Sequence, residues 1–174
     1  MALTLSEYAA LAQRTASTKT AEEKIGHGLL GLIGEAGEIV DIVKKMKYMG
    51  MPEAMAKEKI IDEAGDLFWY VVEECAGMGW KFEELVVNSI GCPEDVVNGP
   101  LERYAVNMVG EAVECLRHEA ILRMQHLVEV IWIAWAILRL NGLDVTDVLE
   151  HNIEKLRARY PDGFSADKSN ERYA

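Results

Sequence analysis

Gly34-Glu35-Ala36-Gly37-Glu38 and Asp62-Glu63-Ala64-Gly65-Asp66 are the two stretches from which the rest of this chain can be read. In each, two carboxylates stand at i,i+3, a spacing that puts both on one face of an α-helix. The flanks are apolar, Leu29 to Ile33 and Ile39 to Val43 around the first and Leu67 to Val72 after the second. The acids therefore border a core and do not belong to a solvated charge run. Four carboxylates aimed between two packed helices repel one another and lose hydration unless a cation joins them. Oxygen donors alone suit hard divalent ions, magnesium above all.

Outward from these two helices the same periodicity continues. Apolar residues at helical spacing predict helices near 4–16, 22–47, 54–77, 82–90, 101–119, 121–140 and 144–158, followed by a coiled tail. The prolines, Pro52, Pro93, Pro100 and Pro161, all fall where the periodicity fails. Ser6 and Thr20 are the expected N-caps of the first two helices, and Gly50-Met51-Pro52 marks the join between the acidic pair. No β-type alternation of useful length occurs, so the expected class is an all-α helical bundle.

The chain of 174 residues carries a net charge of −11, which opposes nucleic acid or an anionic membrane as main partner. A phosphate ligand would need metal ions or a local basic patch. Cys75, Cys92 and Cys115 are odd in number and lack metal-type spacing, as expected of reduced thiols in a cytoplasmic protein. The start, Met1 to Tyr8, has neither the basic head nor the apolar run of a signal peptide. Leu127 to Leu138 is the most apolar stretch; it contains Glu129 and reads as a buried helix too short to span a bilayer.

The sequence also echoes itself. Trp69 and Trp132, Gly79 and Gly142, and Ile90 and Ile153 are separated by one common interval, and Gly34 to Glu38 recurs at a longer interval as Gly110-Glu111-Ala112-Val113-Glu114. The difference is a deletion between the two helices of the second copy. Two related halves follow, 1–91 and 101–174, joined by a linker at 92–100. The second acidic set becomes Glu111, Glu114, His126 and Glu129. Imidazole is a poor magnesium ligand, so this second set is expected to be degenerate.

Glu-x-x-Glu followed by Glu-x-x-Asp, here Glu35, Glu38, Glu63 and Asp66, resembles the MazG-type all-α nucleoside triphosphate pyrophosphohydrolases. So do Gly31 to Glu38, Lys44-Lys45, Asp66-Leu67-Phe68-Trp69-Tyr70 and the ending Asn152-Ile153-Glu154-Lys155-Leu156-Arg157-Ala158-Arg159-Tyr160-Pro161-Asp162-Gly163-Phe164. The likeness covers 4–90 and 141–172 well and the segment between them only as a faded repeat. It implies magnesium-dependent hydrolysis of nucleoside triphosphates, deoxynucleotides by preference, to monophosphate and pyrophosphate, with Mn2+ as a substitute metal and housecleaning of the nucleotide pool as the broad role. Glu35, Glu38, Glu63 and Asp66 take the metal and catalytic positions. Asn152 would read a base edge, while Lys155 and Arg159, at i,i+4, would meet phosphate. Helical geometry adds Tyr70, four residues after Asp66, and Lys45, seven after Glu38, as phosphate helpers.

The chain departs from the family in one instructive way. Its first half has intact acids but ends in Ser89-Ile90-Gly91-Cys92, without lysine or arginine; its second half has spoiled acids and an intact tail. One composite site per pseudo-dimer is the expectation, metal ligands from one half and nucleotide-binding groups from the other. The duplication leaves two assemblies open, a self-sufficient chain or a homodimer.

Other residues are read more plainly. Trp69 and Trp132 are expected in the core; Trp80, Trp135, Met46, Met49, Met51 and Met55 are packing residues first and base-pocket candidates second. His27 is a lesser pocket candidate, and 165–172, with Lys168, Ser169 and Arg172, a lid or a loose end. Two rival functions are a carboxylate-bridged di-iron bundle, for which the required Glu-x-x-His is missing, and a non-catalytic helical module that senses nucleotides or drives oligomerisation.

Overall fold

A computed structural model describes residues 3–90, 97 and 99–165. The expected linker residues 92–96 and 98, with Cys92, and the tail residues Lys168, Ser169 and Arg172 lie outside them. Helices α1 (Leu5–Gln13), α2 (Ala21–Tyr48), α3 (Glu53–Met78), α4 (Phe82–Ile90), α5 (Leu101–Arg117), α6 (Ala120–Leu140) and α7 (Val145–Arg159) make up the fold, and no strand occurs among the described residues.

Local chemistry fixes the helix ends. Thr20 caps α2 by accepting the Glu23 N–H while the Glu23 carboxylate reaches back, a reciprocal capping box. At α1 the same box is made by Thr4 and Glu7, not by Ser6. Threonine and glutamate three residues apart satisfy two orphan N–H groups, which Ser6, already inside the first turn, cannot do. Gly79 ends α3 at φ +71°, and Gly142 follows α6 at φ +69°. This left-handed conformation favours glycine, so the two glycines that match in the repeat also match in backbone geometry.

The long hairpin of α2 and α3 packs against the shorter hairpin of α5 and α6, chiefly through α2 and α5. Between them lie Leu32, Ile39, Ile60, Leu67, Phe68, Met108, Leu127, Ile131, Ile137 and Leu138, all essentially inaccessible. The short third helices are exchanged: α4 packs mainly on α6, while α7 packs mainly on α3. This exchange carries the C-terminal helix to the first acidic hairpin. Helix α1 closes that end against α3, α4 and α7.

Ile121–Leu140 is 20 residues long and, by length and composition alone, apolar enough to cross a membrane, longer than the sequence reading allowed. Here 56% of its most apolar window is buried inside the bundle. Cys75 and Cys115 are buried free thiols, and burial pushes Cys75 up to about 12.

Consecutive acids on α3 are buried with opposite outcomes. Burial opposes ionisation of Glu73, but contacts with His27, Thr18 and Gln13 and the charge of Lys24 outweigh it and hold its carboxyl below the usual range. Gln13 Nε2 donates to Glu73 at 2.6 Å and Lys24 Nζ lies 3.6 Å away, which ties α1 and the start of α2 to α3. Glu74 is buried with Arg123 Nε 3.5 Å from its carboxylate. Burial raises its carboxyl from 4.5 to about 7, with Arg123 pulling the other way. An acid raised by folding adds stability below its unfolded pKa, and that stability is lost as pH rises through the folded value. Glu74→Gln should therefore flatten stability against pH between 4.5 and 7 by about 3 kcal/mol. Urea unfolding at stepped pH measures this; a variant with the wild-type slope would refute it.

Candidate active site

Three of the four acids expected at the metal meet. Glu35 from α2 and Glu63 and Asp66 from α3 each present an oxygen within 4.8 Å of the others. Small residues make the approach possible: Ala36 and Ala64 are buried beside them. Burial first, then the charges of Asp66 and Glu63, pushes the Glu35 carboxyl up to about 7. Glu63 is raised too, by burial and then by Asp66. Glu38 is exposed and stands outside the trio, close enough for its charge to be felt by Glu35 and Glu63.

The exchanged helix α7 completes the arrangement. Asn152, fully buried, donates from Nδ2 to Asp66 Oδ1 at 2.9 Å, and its own Oδ1 accepts from Tyr8 at 3.1 Å. Burial and then the Asp66 charge hold the Tyr8 phenol well above its usual range, so it remains a donor. Lys155 Nζ lies 3.0 Å from Asp66 Oδ1 and 3.7 Å from Asp62 Oδ1. Gly65 permits this docking, since a Cβ there would come within 2.9 Å of the Asn152 Cβ. An anionic oxygen cluster with one ammonium beside it fits a hard divalent cation by donor type and by its strained charge state.

Beside the acids opens a cavity of about 140 Å3. Glu35 and Asp66 line one part of it; Trp69, Tyr70, His27, Tyr160 and Phe164 supply rings, and Thr15, Ser17 and Arg159 supply polar groups. The His27 ring meets Trp69 and Tyr70 edge-on, with centroids 5.7 and 5.3 Å apart. The Arg159 guanidinium sits over the Tyr160 ring at 5.3 Å. Trp69 Nε1 donates to Ala12 O and Thr15 Oγ1, which anchors the wall to α1.

Of the expected substrate groups, Tyr70 and Arg159 line this cavity, while Asn152 and Lys155 reach Asp66. Lys45 instead pairs with Asp41 one turn away and does not line the cavity. Met46 and Met51 border a separate depression, and Met49 and Met55 are exposed. Thr15, Ser17 and the wall-forming roles of Trp69, Tyr160 and Phe164 escaped the sequence reading. The signal available was the aromatic run Phe68-Trp69-Tyr70 just after Asp66, with Tyr160 and Phe164 either side of Pro161.

Gly31 makes room for that wall, because a Cβ there would lie 2.1 Å from the Tyr70 ring. Gly34, one turn later, has nothing within 4 Å. Gly31→Ala should lower stability by about 1–3 kcal/mol through overpacking, whereas Gly34→Ala should raise it by about 0.5–1 kcal/mol through helix propensity. Chemical denaturation of the pair measures the contrast; equal shifts would refute it.

The second set assembles only in part. Glu111, Glu114 and His126 lie together, joined by His118 from the turn after α5, but Glu129 is exposed and outside the donor group.

Residues 27–90 match the family model described as MazG nucleotide pyrophosphohydrolase domain. The match spans α3, α4 and all but the start of α2; α1 and residues 91–174 fall outside it. No curated protein and no solved structure matches the chain.

Proposed function

We propose, from the premise that residues 27–90 belong to the MazG nucleotide pyrophosphohydrolase family, that this chain hydrolyses (deoxy)nucleoside triphosphates to monophosphate and pyrophosphate. The convergence of Glu35, Glu63 and Asp66 at the edge of an aromatic-walled cavity carries the reading. These three, with Glu38 at the rim, would hold Mg2+ or Mn2+. A bound dication there would neutralise phosphate oxygens and lower the pKa of an attacking water.

The chain's own groups do the positioning. Trp69, Tyr70 and His27 offer ring surfaces to a base or sugar. Arg159 lies on the cavity and Lys155 beside Asp66, so both can turn toward phosphate once a metal takes over the acids. Asn152, held by Tyr8, fixes the orientation of Asp66. Lys45, paired with Asp41, would act only on a triphosphate extending along α2.

The exchange of α4 and α7, with matching glycines after α3 and α6, supports the division into halves 1–91 and 101–174. In this reading one chain holds one composite site: acids from the first half, Asn152, Lys155 and Arg159 from the second. A panel of canonical and modified triphosphates with magnesium, scored for pyrophosphate against single phosphate, tests the activity. Pyrophosphate release abolished by chelator is expected. Release of single phosphate only would overturn the bond assignment, and tight nucleotide binding without turnover would favour a sensing module.

A further inference from the structure

We propose that the turn between α5 and α6 carries a second metal site of different chemistry, in which Glu114, His118 and His126 bind a borderline ion of the zinc type. The donors come from the repeat and its shortening together. Glu111 and Glu114 hold in α5 the places that Glu35 and Glu38 hold in α2, and His126 holds in α6 the place of Glu63 in α3. Because the second hairpin is shorter, its turn falls beside these residues, and that turn adds His118.

The atoms are arranged for ligation. One donor from each of Glu114, His118 and His126 lies within 4.8 Å of the others. Glu114 Oε2 is 3.2 Å from His118 Nε2, while Arg117 Nη1 holds the other oxygen at 3.0 Å. The His118 and His126 rings stack, with centroids 5.3 Å apart and planes 13° from parallel. Glu111 Oε2 sits 2.7 Å from His126 Nδ1. A carboxylate there accepts the Nδ1–H and leaves the Nε2 lone pair for a metal, the carboxylate–histidine support common around zinc. Tetrahedral zinc places its ligands about 2 Å away, hence about 3.3 Å from one another, so the side chains need close by at most about 1.5 Å. All three are partly exposed, which gives an ion access. Two imidazoles and one carboxylate disfavour magnesium and suit zinc or cobalt, so the two hairpins would select different metals.

The test is a titration of the metal-stripped full chain with Co2+, followed by displacement with Zn2+. One equivalent with the visible bands of low-coordinate cobalt, bleached by zinc, is expected. His118→Ala and His126→Ala should each weaken that binding at least about 100-fold, and Glu111→Ala about 10–100-fold. Glu35→Gln should leave it intact, which separates this site from the one on α2 and α3. His118→Ala should retain wild-type triphosphate turnover. Circular dichroism verifies folding, and His118→Ala decides the matter if the His126 variant unfolds. Absence of a cobalt spectrum, or unchanged affinity in the histidine variants, would reduce the cluster to ion pairs and overturn the proposal.

Discussion

Glu35→Gln is expected to abolish triphosphate hydrolysis, by about a thousandfold or more, while raising the melting temperature of the metal-free protein. Both effects come from one cause. Glu35 is driven up to about 7 by burial and by the charges of Asp66 and Glu63, so without a cation the ionised trio opposes folding. The sign follows: for an acid raised from 4.5 to about 7, the stabilising contribution is present below pH 4.5 and is lost as pH rises through 7. The gain from glutamine should therefore be greatest near pH 8 and vanish in acid. Relief of about 1 kcal/mol moves the melting temperature by about 2–4 °C in a chain of this size. Magnesium should raise the wild-type melting temperature and leave the variant's unchanged, because only an intact oxygen set binds it tightly. Calorimetry with and without magnesium, beside a pyrophosphate assay, reads all three. A variant that melts lower and still turns over would contradict the metal assignment.

The bundle was legible because helical periodicity, prolines and caps agreed with one another. Each predicted helix occurs, with ends displaced by no more than three residues. Ser6 was the wrong cap because two hydroxyl residues compete there, and only Thr4 has glutamate three positions later. The exchange of α4 and α7 was not written in any local pattern. Both helices are short and amphipathic, and nothing in an apolar stripe names the partner that covers it. Glu73, Glu74 and Arg123 were invisible for a related reason. Charged residues on a helix read as solvated until tertiary packing closes over them.

At the site, i,i+3 spacing correctly placed Glu63 and Asp66 on one face, and chemistry asked for a cation. Spacing could not say that Glu38 would stand aside. A helix turns about 100° per residue, so two acids three apart diverge enough for one to face the partner helix while the other stays exposed. Lys45, seven residues from Glu38, keeps nearly the same direction on the helix and so shares its distance from the cavity, and it pairs with Asp41. Aromatic residues were assigned to the core because most are. Trp69 is both, since its ring edge is held by Ala12 and Thr15 while it lines the cavity. His118 follows Glu114 by four residues, which fits no Glu-x-x-His motif but brings the two side chains together on one side of the helix end.

Lys155→Met should cut kcat/KM by about 100-fold or more with every acid of the first half untouched. Lys155 stands 31% exposed, its Nζ 3.0 Å from Asp66 Oδ1, and its charge lowers both Glu35 and Glu63. In the metal-free protein it is the cation paired with Asp66 among the described residues, so its removal should also raise the pKa values of both glutamates. Methionine keeps the stem and the packing of α7 on α3, which separates loss of charge from loss of structure. The pH profile gives the sharper reading. If Lys155 acts only by bracing α7, the acidic limb of kcat/KM stays where it is; if it serves the acids and the phosphate, that limb moves to higher pH. Lys155→Arg should recover part of the rate, because a guanidinium restores the charge but not the compact geometry of an ammonium. A chain ending near Pro100 lacks Asn152, Lys155 and Arg159 together and should be inactive. Full turnover from that truncated chain would show that the first hairpin needs nothing from α7, and the composite site would fall with it.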